Sequence, residues 1–271
     1  MTIVLFGHQG PHTSQAGPAP ATVPSRTPVP TGVRGDWTLK FDDEFDGTSL
    51  NTAKWSTGWY GSGITAPANN AEDDCYDPAQ VSAGGGALSL SVIQKSETCG
   101  SQEEYTGSLV STRGKYSFTY GFIEARVWLP EVPGNPGQVA NWPGVWADGQ
   151  NWPEDGEIDI AEGIDHRVCA HFHGPDNPDG VGAGGRSGCP SGTYAGGWHT
   201  FAADWEPGGI TFYYDGVDIG SVTSGVTSAP MFIILDNAAQ APAQVPATMK
   251  VAYVRVWQHP QPPARHRLRL P

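Results

Sequence analysis

Three carboxylates are crowded into one short segment, Glu157-Ile158-Asp159-Ile160-Ala161-Glu162. Side chains alternate between the two faces of a strand, so Glu157 and Asp159 would share one face while the isoleucines point into a core. Glu162 lies at an odd separation from Glu157, and a regular strand would bury it at a high desolvation cost. A one-residue β-bulge at Ile160-Ala161 would return Glu162 to the carboxylate face, and bulges recur beside active sites. We therefore predict a bulge at this point.

The chemistry that suits such a cluster is cleavage of a glycosidic bond. That reaction needs one ionised carboxylate to attack the anomeric carbon and one protonated carboxyl to donate to the leaving oxygen. A retaining mechanism places the two groups ~5 Å apart, which same-face positions on a bent strand can supply. Glu157 and Glu162 suit these two roles, and Asp159 lies between them, where it can tune both. Spacing alone leaves open a solvated acidic strand or a divalent-cation site built from the same carboxylates.

Aromatic residues precede the acidic segment. Trp142, Trp146 and Trp152 lie in loop-like sequence that also contains Pro143 and Pro153. Aromatic faces next to a pair of acids are typical of a sugar-binding cleft, and three tryptophans so close together favour a binding role over a purely structural one. We therefore expect these side chains to contact substrate.

The elements that position these residues are predicted to be β-strands. Residues 116–129 and 249–257 alternate with a period of two, and 210–222 contains an Asp-Gly turn between two alternating runs, as in a β-hairpin. The first of these strands has a core face and a second, polar-aromatic face that carries Glu124 and Arg126. With 36 Gly and 24 Pro for tight turns, the sequence predicts an all-β fold of two stacked antiparallel sheets.

Composition indicates one domain with terminal extensions. Residues 1–35 are rich in proline and lack acidic residues, which is typical of a disordered leader or linker, and residues 259–271 form a similar tail. Residues 36–258 are then the single globular domain, which we expect to act as a monomer. The net charge of −13 argues against nucleic acid or an anionic membrane as a partner and favours a neutral one.

The four cysteines fall into two local pairs, Cys75 with Cys99 and Cys169 with Cys189. Two disulfides and a secreted, oxidised protein are the hypothesis, although no secretory leader is recognisable in residues 1–35. The alternative is a zinc site that uses Cys169, Cys189 and the intervening histidines His171 and His173, although the spacing fits no standard zinc motif. No segment of the sequence is long and apolar enough to span a bilayer.

Ordered motifs resemble glycoside hydrolase family 16, specifically its bacterial laminarinase-like members, over about residues 37–257. The matching segments are, in order, Phe41-Asp42-Asp43-Glu44-Phe45-Asp46-Gly47, Tyr120-Gly121-Phe122-Ile123-Glu124-Ala125-Arg126, Trp152-Pro153-Glu154-Asp155-Gly156 running into the acidic segment, Trp198-His199-Thr200, Tyr213-Tyr214-Asp215-Gly216 and Val251-Ala252-Tyr253-Val254-Arg255-Val256-Trp257. The resemblance implies a concanavalin-like jelly-roll sandwich with a concave cleft.

The resemblance also implies a retaining double displacement, with Glu157 as nucleophile, Glu162 as general acid/base and Asp159 as their helper. It implies that Glu124 and Arg126 contact sugar in the glycone subsites; their alternative role is an exposed ion pair on the sheet. Candidates for further substrate contacts are His171, His173 and Asn237. The bulged form of the motif implies an endo-acting β-1,3-glucanase that hydrolyses a polysaccharide without a cofactor.

Three other interpretations stay open at this point. The first two are a related hydrolase of mixed-linkage glucan or algal galactan, and a non-catalytic β-glucan-binding protein of the same fold. The third concerns calcium, because relatives bind it with an Asp where this chain has Ala252, helped by a residue near Glu44 and a carbonyl near Gly86. Without that carboxylate we expect no calcium site.

Overall fold

A computed structural model describes residues 27–185 and 188–260. Within these ranges the chain is built almost entirely of β-strands, with two short 3-10 turns at Pro78–Gln80 and Ala183–Gly185. The all-β prediction is confirmed. The strands are β1 (Thr38–Asp43), β2 (Ser56–Thr57), β3 (Asp74–Tyr76), β4 (Val81–Gly84), β5 (Ala87–Val92), β6 (Glu97–Thr98), β7 (Gln102–Glu103), β8 (Tyr105–Ser111), β9 (Gly121–Trp128), β10 (Trp142–Asp148), β11 (Glu157–Ile164), β12 (Arg167–Gly174), β13 (Asn177–Gly182), β14 (Trp198–Glu206), β15 (Gly209–Tyr214), β16 (Val217–Val222), β17 (Phe232–Ala238) and β18 (Ala247–Gln258).

Two large sheets stack to form the sandwich. The front sheet has the order β13-β12-β11-β10-β17-β8-β2 and contains the acidic strand β11. The back sheet has the order β16-β15-β14-β9-β18-β5-β4, with β1 paired to β18. The pairings along both orders are antiparallel, and β3 joins β8 in parallel. The predicted two-sheet antiparallel jelly-roll sandwich is confirmed.

The hydrophobic core lies between the two sheets. Ile158 and Ile160 project from β11, and Ile123 and Val127 from β9, and all four are fully buried. Because alternate residues face the core, each of these strands presents its remaining side chains to the outside of the sandwich. The acids of β11 are thereby anchored on a rigid element at the outer surface of the front sheet.

The hairpin predicted in 210–222 is formed by β15 and β16. Asp215 and Gly216 occupy the turn with φ angles of 50° and 74°. Two consecutive positive φ angles are what a tight hairpin turn requires, and Asp-Gly supplies them at low steric cost. This prediction is therefore confirmed.

Strand β18 departs from strict alternation. Its pairing with β9 shifts register between Val251 and Tyr253, so Met249 and Val251 enter the core together with Val254 and Val256. The period of two expected for residues 249–257 would put Met249, Val251 and Tyr253 on one face. That expectation was wrong, because the irregularity reverses the two faces of the strand.

Part of the expected leader is packed against the back sheet. The carbonyl of Pro28 accepts a hydrogen bond from Trp257 Nε1 at 2.9 Å, and the amide of Thr31 donates to Glu124 Oε2 at 3.0 Å. Within the segment that the sequence assigned to a disordered leader, Pro28 and Thr31 therefore have specific partners. The predictions for residues 1–26 and 261–271 lie outside the described residues. Across 27–185 and 188–260, no helix has the length and apolar character needed to cross a membrane.

Candidate active site

The acidic strand contains the predicted bulge. Asp159 pairs with His171 and Glu162 pairs with Cys169, so two residues of β11 stand opposite one residue of β12. The register of β11 against β10 shifts at the same place. The extra residue lies at Ile160-Ala161. Without it, Glu162 would face the core and lose its contact with solvent at a high desolvation cost. Glu162 consequently points out of the sandwich, with 17% of its side chain exposed.

The bulge brings three carboxylates to the floor of one cleft of about 610 Å³, lined by Glu157, Asp159 and Glu162. A carboxylate oxygen of Asp159 lies within 4.8 Å of a carboxylate oxygen of Glu157 and of a ring nitrogen of His173. On the other side, a carboxylate oxygen of Asp159 lies within 4.8 Å of a carboxylate oxygen of Glu162 and of a ring nitrogen of His171. Asp159 therefore connects the two glutamates.

Burial and mutual repulsion perturb the carboxylates. Burial and the negative charge of Asp159 raise the pKa of Glu157 well above its usual range. Burial, followed by the charge of Glu162, raises the pKa of Asp159 to about 6. The strand therefore retains a proton to higher pH than isolated carboxyl groups would.

His173 supplies the balancing positive charge. Its Nε2 lies 3.2 Å from Asp159 Oδ2, and its Nδ1 lies 2.9 Å from the carbonyl oxygen of Pro178. Burial opposes protonation of His173, but its hydrogen bond to Asp159 and the charge of Asp159 outweigh burial and raise the pKa of His173 to about 10. The contact with Asp159 therefore favours the charged form of the imidazole.

Both oxygens of Glu162 have partners. Trp142 Nε1 donates to Glu162 Oε1 at 3.0 Å, and His171 Nδ1 lies 3.0 Å from Glu162 Oε2. These contacts fix the orientation of the carboxyl group relative to the cleft. A carboxyl group held in this way can give up and take back a proton at a defined position.

The three tryptophans predicted to contact substrate all line this cleft. Trp142 and Trp146 lie on β10, the neighbour of β11, so the expectation of a loop there was wrong. Trp152 lies in the turn before β11, is half exposed, and its side chain hydrogen-bonds Glu157. Trp59 stacks obliquely on Trp146 with ring centroids 5.5 Å apart and extends the aromatic wall.

Comparison with known proteins identifies the family. Residues 93–173 match a family model described as "XgeA-like, catalytic GH16 domain". A glucan endo-1,3-beta-glucosidase of Cryptopygus antarcticus is 30% identical over 67% of this chain and 67% of its own length. The chain belongs to glycoside hydrolase family 16.

Further relatives extend the similarity over more of the chain. Glucan endo-1,3-beta-glucosidase A1 of Niallia circulans is 28% identical over 86% of this chain. The chain spans only 39% of that relative's length. The endo-beta-1,3-glucanase of Pyrococcus furiosus has a solved structure that superposes with a TM-score of 0.69 at 28% identity. That match covers 82% of this chain and 94% of the Pyrococcus furiosus chain.

The sequence analysis did not predict two acidic residues of the cleft of this family 16 chain. Asp148 is the direct cross-strand neighbour of Glu157, and Asp236 of β17 accepts from Trp146 Nε1 at 2.7 Å. Burial and the charge of Glu157 raise the pKa of Asp148 to about 7, and burial raises the pKa of Asp236 well above its usual range. The alternation Trp142, Gly144, Trp146, Asp148 along β10 would have revealed the first of these, had the segment been recognised as a strand.

Three expected substrate contacts lie elsewhere. Glu124 and Arg126 belong to β9 in the back sheet, so the sandwich core separates them from the cleft. Glu124 is buried and accepts from Tyr253 Oη at 2.8 Å, whereas Arg126 is exposed over the ring of Trp198. Asn237 is fully buried and donates to the carbonyl of Leu90 in the back sheet. The assignment of these residues to the cleft is therefore corrected.

The cysteines form the two predicted disulfides, Cys75–Cys99 and Cys169–Cys189. A zinc site that needs both Cys169 and Cys189 as thiolates is therefore excluded in this oxidised form. His171 and His173, its other expected ligands, instead contact Glu162 and Asp159.

The residues present do not fit the calcium site of related proteins. Ala252 offers no side-chain ligand, and both carboxylate oxygens of Glu44 accept from Arg255, at 2.7 and 2.8 Å. An arginine guanidinium therefore occupies the partner position that a cation would need. The carboxylates and histidines of the cleft place atoms that could bind a metal close together. The same side chains contact one another, and such contacts suit proton transfer as well as metal binding.

Proposed function

We propose that this chain hydrolyses β-1,3-glucan internally, with retention of configuration, using Glu157 as nucleophile and Glu162 as general acid/base. The observation that carries the proposal is the bulged strand, which presents both glutamates and Asp159 to one aromatic-lined cleft. Retaining hydrolysis needs two carboxyl groups that flank the scissile bond about 5 Å apart, one to attack the anomeric carbon and one to protonate the leaving oxygen.

In the first step Glu157 attacks the anomeric carbon and the bond from that carbon to the leaving oxygen breaks. Glu162 gives its proton to the leaving oxygen and becomes a carboxylate. Asp159 sets the ionisation of the nucleophile because, after burial, its negative charge is the largest cause of the raised pKa of Glu157. His173 compensates by placing a positive charge beside Asp159.

In the second step a water molecule attacks the anomeric carbon and displaces Glu157. Glu162 takes a proton from that water, which restores the starting protonation states. The enzyme is regenerated without any cofactor. Both glutamates retain their positions during the cycle because β11 is anchored by Ile158 and Ile160 in the core.

The charges of the cleft favour a neutral polysaccharide. Among the described residues that line it, six are acidic and only His173 is basic. An anionic galactan would be repelled by such a surface. Arg126, the basic residue that sequence reasoning had placed there, lies on the other sheet. Aromatic faces and hydrogen-bonding carboxyl groups suit a neutral glucan chain. The similarity to the 1,3-glucanases of Niallia circulans, Cryptopygus antarcticus and Pyrococcus furiosus supports the β-1,3 linkage.

Product analysis on a panel of polysaccharides tests the function. We expect oligosaccharides from laminarin and curdlan, with less product from lichenan and none from agarose or carrageenan. The variant Glu157→Gln should lose at least about a thousandfold in activity because it lacks the nucleophile. Binding of laminarin without hydrolysis would contradict the proposal and favour a glucan-binding role, whereas faster release from agarose would favour a galactan hydrolase.

The two disulfides also support secretion, because disulfides persist in oxidising compartments. An extracellular location agrees with a polysaccharide substrate that is too large to enter a cell. Localisation of the full-length protein in the source cells would test this part of the proposal.

A further inference from the structure

The side chain of His171 links the proposed general acid to a disulfide-closed loop. His171 lies on β12 next to the bulge, and its Nδ1 is 3.0 Å from Glu162 Oε2. Its side chain is 16% exposed, close to the 17% of Glu162, so the two groups are shielded to the same degree. Charge-assisted hydrogen bonds in such partly buried positions are stronger than those in open water.

Gly188 lies close to this imidazole. The carbonyl of Gly188 accepts from the amide of Ala170 at 2.9 Å, and the next residue, Cys189, is bonded to Cys169. A Cβ atom on Gly188 would overlap the carbonyl oxygen of Ala170, and it would lie 3.0 Å from the Cα of Gly182 and 3.1 Å from His171 Cδ2. Gly188 also has a φ of +69°, which favours glycine. The disulfide therefore holds a backbone segment close against the ring.

We infer that His171 is a positioning residue that stabilises Glu162 as it gives up its proton, and that the Cys169–Cys189 disulfide keeps the imidazole in place. This inference rests on the proposed function. When Glu162 transfers its proton to the leaving oxygen, negative charge develops on its carboxylate. With its proton on Nδ1, His171 donates to Oε2 and stabilises that charge. The proton itself goes to the leaving group, and none is lost from the imidazole.

The role predicts a dependence on the leaving group. A sugar or phenol leaving group needs a proton in the transition state, whereas 2,4-dinitrophenolate leaves without one. Loss of the hydrogen bond from His171 should therefore slow only reactions that need the general acid. A purely structural role would slow both classes equally.

The test compares phenyl and 2,4-dinitrophenyl β-laminaribiosides. His171→Ala should lose about tenfold in kcat/KM on the phenyl substrate and change less than about twofold on the dinitrophenyl substrate. His171→Asn, whose amide can donate from nearly the same position as Nδ1, should recover most of the loss. The matched control is His199→Ala, because His199 bonds Asp215 at the back sheet and should show no leaving-group dependence. Equal losses on both substrates, or no recovery with asparagine, would overturn the role of His171.

The disulfide is tested by replacing Cys169 and Cys189 with serine. The double replacement should cause the same selective loss on the phenyl substrate, with no further loss when His171→Ala is added. Removal of Cys75 and Cys99 is the matched control, because that pair should affect stability without leaving-group dependence. Additive losses would overturn the link between loop and acid. If the serine variant does not fold, Gly188→Ala replaces it and must lose activity on the phenyl substrate alone. Equal activity of Gly188→Ala and the wild type on both substrates would overturn the link.

Failure of this inference is distinct from failure of the proposed function. Wild-type turnover of both aryl laminaribiosides, abolished by Glu157→Gln, supports the function whatever His171 does. No turnover of either substrate by the wild-type chain would contradict the function itself.

Discussion

At the residue scale, Asp159 controls the ionisation of the proposed nucleophile. Its side chain is only 7% exposed, hydrogen-bonds Glu157 and contacts His173 Nε2 at 3.2 Å. After burial, the negative charge of Asp159 is the largest cause of the raised pKa of Glu157. Hydrolysis requires Glu157 as a carboxylate, so its pKa sets the acid side of the pH profile.

Replacing Asp159 with asparagine should therefore move the acid limb of kcat/KM. The substitution removes a negative charge, which lowers the pKa of Glu157. The acid limb of the pH profile should therefore move to lower pH by about one unit. The maximum rate should fall as well, because the hydrogen bond to Glu157 changes. The pH dependence of kcat/KM on laminarin measures both effects. Asp215→Asn, at the back sheet, is the control, and an acid limb that stays in place or moves upward would contradict the assignment.

Individual residues show how far sequence reasoning reaches. Glu157 and Asp159 follow from strand alternation, and the position of Glu162 follows from the cost of burying a carboxylate. Glu124 and Arg126 were misplaced because alternation reports which face of a strand a residue occupies but not which sheet the strand joins. Asn237 was misplaced by a single residue, since its neighbour Asp236 faces the cleft.

At the element scale, the cleft depends on close packing between β10 and β17. Gly144 pairs with Asp236 across the two strands and with Glu162 on the other side. A Cβ atom at Gly144 would overlap Asp236 Oδ1 and lie 3.1 Å from Trp146 Cδ1. Glycine at this position therefore allows Asp236 to accept the hydrogen bond of Trp146.

Gly144→Ala should displace this pair. We expect a loss of about 1–3 kcal/mol in the free energy of unfolding from overpacking, and a higher KM for laminarin because Trp146 shifts. Chemical denaturation and steady-state kinetics measure the two effects. Gly84→Ala on β4 is the matched control, since its Cβ meets no heavy atom within 4 Å. An unchanged KM and an unchanged unfolding curve would contradict the packing argument.

The strands themselves were only partly predictable. The hairpin of β15 and β16 was predictable, because its Asp215-Gly216 turn depends only on residues that are adjacent in the sequence. The sequence of β10 favours a loop, because Pro143 lies near its start and because its exposed face carries tryptophans rather than polar residues. The register shift in β18 has no local signal, since it arises from pairing with strands distant in sequence.

At the scale of the whole molecule, the back sheet is stabilised by an ion pair in place of a metal. Arg255 makes two hydrogen bonds to Glu44 and stacks on Tyr253, with its guanidinium carbon 3.8 Å from the ring centroid. Bidentate arginine–carboxylate contacts have well-defined geometry and tolerate partial exposure. The Glu44 carboxylate is therefore already paired with a positive charge.

Removal of metal should leave the protein unchanged. We expect the same Tm and the same activity on laminarin after dialysis against EDTA, and no rise in Tm when calcium is added, because no ligand set is available at Ala252. Differential scanning calorimetry with parallel activity assays provides the measurement. A fall in Tm or activity with EDTA that calcium restores would contradict this account.

The central claim is that Glu157 and Glu162 act from one bulged strand in a double displacement. The most direct measurement is ¹H NMR of the anomeric protons during the first minutes of laminarin hydrolysis, before mutarotation. We predict that the new reducing ends appear first as the β-anomer and that the α-anomer grows in only later. Initial release of the α-anomer would contradict the assignment of Glu157 as a nucleophile.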